Sequence, residues 1–244
     1  LTAPMVLQGG PCGRVGRRRT IIVEKPPDGK SRGFFAFRRG ERVGFTGVWA
    51  LLALTDAELA EFGALAEMAV VPAGVEAERV WWRGLAAGEL SGRLWEDEGA
   101  SRLGELFGRW APDSEEHEGS AARVLEEMGG RPEEQRWAMA AGKAFPFAAL
   151  GFAVGPDAVL GWPGWFGVFV LDAAGVRREL PAFEAVLGRS GVERGRVVRR
   201  VRGWMADLGN DPDFPAGELL DGPLRVLRWA AVNGRGVVGV APVF

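Results

Sequence analysis

The sequence predicts an α+β fold: an N-terminal antiparallel sheet followed by a C-terminal half that mixes helices and strands. Three observations predict it. Short runs rich in Ile, Val and Phe, separated by Gly and Pro turns, fill the first fifty residues after an irregular start. The segment Val192 to Leu208 carries clear helical periodicity. Apolar strand-like runs such as Trp165 to Leu171 recur between helical stretches in the second half.

The elements follow in order. Residues 1–19 are rich in Gly and Arg and lack periodicity, so they read as an extended arm. A chain that begins at Leu1 rather than Met reads as a processed or trimmed form, and no secretory apolar region stands near its start. Residues 20–110 read as an N-terminal α+β half. Thr20 to Lys25 is a strand, and Pro26-Pro27-Asp28-Gly29 is turn chemistry. Gly33 to Arg38 and Arg42 to Val48 read as a hairpin closed by Arg39-Gly40-Glu41. Phe34, Phe35 and Phe37 make both faces of that sheet apolar, which predicts cover on both sides.

Thr55-Asp56-Ala57-Glu58 fits a capping box, in which hydroxyl and carboxylate satisfy free backbone N–H groups. Leu59, Phe62, Leu65, Ala66 and Ala69 then share one helical face until Pro72. Glu78 to Gly84 reads as a short strand, and Ser91 to Trp110 has weak helical spacing. Residues 111–119 read as an acidic loop between the halves. Residues 120–244 form the C-terminal half, and the two halves are free to pack as one domain. A short helix runs from Ser120 to Gly129-Gly130, and a second from Pro132 to Lys143. Ala144 to Leu171 reads as a pair of buried strands joined by Gly/Pro turns. Pro181 to Leu187 and Pro223 to Val232 are helices, and Gly236 to Phe244 is a last strand.

Composition narrows the function. The chain has no Tyr, one His (His117) and one Cys (Cys12), against ten Trp and fourteen Phe. Most enzymes draw on His, Cys or Tyr for proton transfer, nucleophilic attack or metal binding. One Cys rules out an internal disulfide framework. A net charge of −2 argues against a general nucleic-acid binder. Within Ala144 to Leu171, Asp157 splits the apolar run into pieces shorter than the roughly 20 residues a spanning helix needs.

The leading expectation is therefore a non-catalytic accessory or interaction subunit of a larger protein assembly, with no cofactor and no bound metal. Its expected binding residues are the indoles Trp81, Trp82, Trp162 and Trp165, because Trp is enriched at interface hot spots. Trp162 and Trp165 flank Pro163-Gly164, a loop expected to be difficult to bury. The second binding element is the Arg face of Val192–Leu208. Val197, Val198, Val201, Trp204, Met205 and Leu208 share an arc of about 120°, and Arg196, Arg199, Arg200 and Arg202 lie opposite. Arg14, Arg17, Arg18 and Arg19 form a second basic cluster, suited to an anionic membrane surface or a partner.

Two alternatives compete. One is a carboxylate-dependent hydrolase or nucleotide-acting enzyme. It would use Glu115, Glu116 and His117, with Asp157 as a buried general acid. The other is a membrane-embedded subunit of a pigment- or energy-converting complex. The Gly9–Gly16 stretch lacks the strand-before, helix-after context and the Gly-Lys-Ser/Thr of a phosphate loop. Arg136-Trp137-Ala138-Met139, just after Glu133 and Glu134, resembles the Arg-Trp-Ala-Met stretch of chlorophyll-binding light-harvesting helices. The resemblance covers four residues. Where that family places a Glu five residues before the Arg, this chain has Arg131, and no second copy of the motif follows. No ligand residue is carried over from it.

Overall fold

The computed structural model describes residues 5–7, 20–24, 34–38, 46–63, 65, 115–211 and 213–244, with side-chain detail from 46 onward except at 115–117, 156 and 160. Three short strands, β1 (Met5–Leu7), β2 (Thr20–Glu24) and β3 (Phe34–Arg38), pair antiparallel in that order.

The core is organised by β4 (Thr46–Leu54), whose nine residues are all buried. A strand apolar on both faces must be covered on both faces. β4 lies inside an antiparallel sheet of order β5-β4-β7-β6, with β5 (Arg136–Gly142), β6 (Phe169–Leu171) and β7 (Gly236–Val240). The hairpin expected between Gly33–Arg38 and Arg42–Val48 is not found among the described residues, and 39–45 lie outside them. Among the described residues β3 pairs only with β2, while β4 takes β5 and β7 as neighbours. Two apolar faces suit β4 to an interior position, and its partners come from far along the chain.

Alternation along β4 assigns its side chains to two faces. Trp49 and Leu51 point to one; Val48, Ala50, Leu52 and Leu54 point to the other. Opposite Leu54 stands Gly236, on which the Leu59 side chain rests. This places α1 (Asp56–Leu59), continued by a 3₁₀ turn at Ala60–Phe62, on the Leu54 face. Thr55 forms the expected capping box with Glu58, both reciprocal bonds being present. Arg123 of α2 (Glu115–Met128) pairs with Glu61 of the 3₁₀ turn, and Arg131, just past the end of α2, pairs with Glu58 of α1 at 2.7 Å. α2 adds Ala121, Val124, Leu125 and Met128 to the core at helical spacing. The helix begins at Glu115, so residues 115–119 are helical rather than loop.

The segment after Pro132 differs from its expected helix. Pro132-Glu133-Glu134 starts a single 3₁₀ turn (Glu133–Gln135), and the chain is extended from Arg136, φ −142° and ψ 152°. Trp137, Met139 and Ala141 are the buried members of β5, a period of two. The stretch resembling a light-harvesting helix is thus a strand.

Ala144–Leu171 also differs. It folds as α3 (Pro146–Val154), α4 (Pro156–Leu160), a tight loop and β6. Pro146 and Pro156 stand at helix starts, where a missing N–H costs nothing. Among the described residues no helix is long and apolar enough to cross a membrane. α5 (Ala173–Leu187), capped by Asp172 on Gly175 N–H, contacts β6 and β7. α6 (Gly191–Asp207) packs on α3, and α7 (Glu218–Asn233) packs on α5 and the sheet. The C-terminal residues extend the ladder, Thr46 and Phe244 exchanging backbone bonds of 2.8 and 2.9 Å.

Candidate functional site

Two regions hold the predicted binding residues that the structure describes. The first is the loop after α4. Trp165 and Val168 exchange backbone bonds of 2.9 and 2.8 Å across Phe166 and Gly167. Both central residues have positive φ, 52° and 82°, as a type I′ connection requires. Gly meets this freely, whereas a left-handed Phe is an outlier held by its surroundings. Those surroundings are aromatic. Phe166 packs edge-on to Phe145 and Phe147, at 6.1 and 5.3 Å. Trp162 stacks with Trp49 at 6.5 Å and meets Phe183 at 4.7 Å. Trp49 Nε1 donates to the Gly167 carbonyl at 3.2 Å.

The expectation of an exposed Trp surface is therefore corrected. Trp162 is 8% exposed and Trp165 4%. The left-handed pair at 166–167 turns the loop back over Phe147, so its rings face the sheet. Between Val159, Trp162, Trp165, Phe166 and Phe147 lies a cavity of about 10 Å³, room for one water molecule. The Trp162 indole N–H has no hydrogen-bond partner among the described residues.

The second region is the outer face of α6. One flank is tied to α7: Arg194 grips Asp221 in a two-point ion pair, at 2.8 and 2.6 Å. The opposite flank faces α3. There the Arg200 guanidinium lies 4.8 Å over the Phe152 ring, and Trp204 contacts the same ring at 4.7 Å. Burial, with Arg196 nearby, pulls Arg200 below its ordinary pKa. Arg196 is exposed and bonds to Glu193 at 2.8 Å. Arg199 and Arg202 are exposed. Arg199, Arg200 and Arg202 have no carboxylate partner among the described residues. Arg123, Arg131, Arg178, Arg194, Arg225 and Arg228 each have one, whereas among the described residues Arg177, Arg189 and Arg235 stand singly elsewhere and Arg136 donates to the Met128 carbonyl.

The remaining predicted residues do not join either region. Asp157 is exposed in the first turn of α4, not buried in an apolar run, so it lacks the low-dielectric setting expected of a buried general acid. Glu115, Glu116 and His117 begin α2, and their side chains lie outside the described set. Trp81 and Trp82 also lie outside the described residues. Among the described residues no three His, Cys, Asp or Glu side chains cluster as metal ligands would. Sequence reasoning missed the grouping of Phe152, Arg200 and Trp204. The i, i+4 spacing of Arg200 and Trp204 at the edge of the apolar arc was the available signal.

Compared with known proteins, the chain matches no family, no curated protein and no solved structure.

Proposed function

We propose that this chain is a non-catalytic interaction module that docks on an acidic segment of a larger protein assembly through the Arg face of α6. One observation carries the reading. Arg199, Arg200 and Arg202 stand on one helix without carboxylate partners, in a chain of net charge −2 whose other described helical arginines, Arg177 apart, are each matched by a carboxylate. Local positive charge left unneutralised selects a negatively charged partner and speeds encounter with it. Charge, not aromatic surface, is the recognition element. The described tryptophans of the loop are internal, and the exposed large apolar residues among the described ones are Val192 and Val232, two separate side chains.

The test is a fluorescence anisotropy titration with three labelled peptides of equal length: glutamate-rich, lysine-rich and Gly/Ser. Saturable binding of the glutamate-rich peptide alone, weakening as salt rises, is expected. Equal binding of all three peptides, or of none, would remove the reading.

A further inference from the structure

Resting on that reading, we infer that the seam between α3 and α6 holds the anchor of the docking surface: a seat for one partner carboxylate, bound by the Arg200 guanidinium and the Trp204 indole N–H. Four observations converge there.

The first is a missing acceptor. Trp204 is 6% exposed, and its Nε1 is itself buried without a hydrogen-bond partner among the described residues, so an acceptor reaches it by displacing a neighbouring side chain. A buried donor left unmade costs free energy that an incoming acceptor recovers. The second is a missing counter-charge. Arg200 is partly buried, and its contact is the Phe152 ring rather than a carboxylate. Such a contact orients a guanidinium but leaves its planar fork of donors open. α3 supplies no acid, since Pro146–Val154 contains no ionisable side chain. The acids of α6 are Glu193, engaged by Arg196, and Asp207, about 10 Å further along the axis.

The third observation is position. Arg200 and Trp204 are one turn apart, their Cβ atoms about 5–6 Å from each other, and both touch Phe152. A carboxylate offers two oxygens and about four lone-pair sites, enough to accept from both groups. The fourth is the field. Arg196, paired with Glu193, lies one turn before Arg200 and is close enough to act on its guanidinium, so the nearest charged neighbour along the helix is another cation. Both features, the orphaned indole and the guanidinium without a carboxylate, would be relieved by a negative group at the seam.

The glutamate-rich peptide serves as the probe, with the chain ¹⁵N-labelled so that each indole N–H gives its own signal. Trp204→Phe assigns the Trp204 signal and keeps a ring against Phe152. Arg200→Lys keeps the charge and removes the fork. The Trp204 N–H signal is expected to move on titration and saturate with the peptide. Each variant is expected to bind roughly tenfold more weakly, the size of one charge-assisted hydrogen bond. Melting temperatures within a few degrees of wild type would show both variants folded; should Trp204→Phe fall further, Arg200→Lys and the wild-type signal still decide. Peptide binding with an unmoved Trp204 signal and unchanged affinity in Arg200→Lys would overturn the seat and leave docking by α6 standing. No peptide binding by the wild-type chain would overturn both.

Discussion

Gly222→Ala isolates the packing between α7 and the sheet. Gly222 lies inside α7, and the Trp137 indole of β5 rests against its Cα. A methyl added there would overlap the Cδ1, Nε1 and Cε2 atoms of that ring. Two effects oppose each other. Ala is favoured over Gly in a helix by about 1 kcal/mol. Overpacking a filled core costs about 1–3 kcal/mol, or more where the neighbour cannot yield. Trp137 is held edge-on by Trp49 at 5.1 Å, so it has little room to turn. The steric effect therefore wins, leaving a net loss of about 2 kcal/mol. For a chain of this size that corresponds to a fall in Tm of about 4–8 °C. Thermal unfolding followed by circular dichroism reads it directly. A double-mutant cycle with Trp137→Phe adds a second criterion: the smaller ring makes room, so Gly222→Ala costs at least about 1 kcal/mol less in that background. A Tm equal to or above wild type for Gly222→Ala alone would refute the packing described.

Three further outcomes follow from the same structure. The Arg131 guanidinium, with Thr55 N–H and hydroxyl, lowers the Glu58 carboxyl from 4.5 to about 2. A depressed folded pKa stabilises above the unfolded value and loses that contribution as pH falls from 4.5 toward 2. Glu58 is 35% exposed, so solvent screening reduces the contribution to about 1 kcal/mol; the stability gap between wild type and Glu58→Gln, measured by urea titration, should close across that window, and a constant gap would reject the linkage. Asn210 accepts from Gly142 N–H at 3.0 Å and donates to its carbonyl at 2.9 Å, clamping the end of α6 to β5; Asn210→Ala should cost about 1–3 kcal/mol by the same titration, and a neutral result would reject the clamp. Trp162→Ala should cost about 3–5 kcal/mol, whereas Trp162→Phe, which removes an unpartnered N–H, should cost far less; equal losses in Tm would deny the orphaned state of that indole.

Legibility in the sequence followed the strength of local signals. The capping box at Thr55 and the helix α6 were readable because fixed spacings specify them. β5 was not, because Pro132-Glu133-Glu134 carries a helix-start signal that a single 3₁₀ turn uses up before the alternating Trp137, Met139 and Ala141 begin. α3 and α4 were hidden by prolines that break a strand and begin a helix equally well. The Trp162–Trp165 loop was misplaced because Gly and Pro announce a turn but not the direction in which its rings point. That direction depends on Phe166 adopting a positive φ against Phe145 and Phe147, a tertiary fact. The arginines of the binding surface were visible from helical periodicity. Their lack of carboxylate partners was not, since it depends on α3, some fifty residues away, bringing no acid to the seam.

The central claim is that Arg199 and Arg202 of α6 present positive charge to a partner, while Arg194 and Arg196 of the same helix are paired within the fold. The double charge reversal Arg199→Glu/Arg202→Glu tests it most directly, with Tm and affinity for the glutamate-rich peptide measured on one preparation. Neither side chain has an internal carboxylate partner among the described residues, so Tm should stay within about 2 °C of wild type, as for surface substitutions generally. Affinity should fall at least tenfold, and the fall should shrink as salt is raised. Unchanged affinity would contradict the account. So would a loss of affinity matched by a large drop in Tm, which would place these arginines among the supports of the fold.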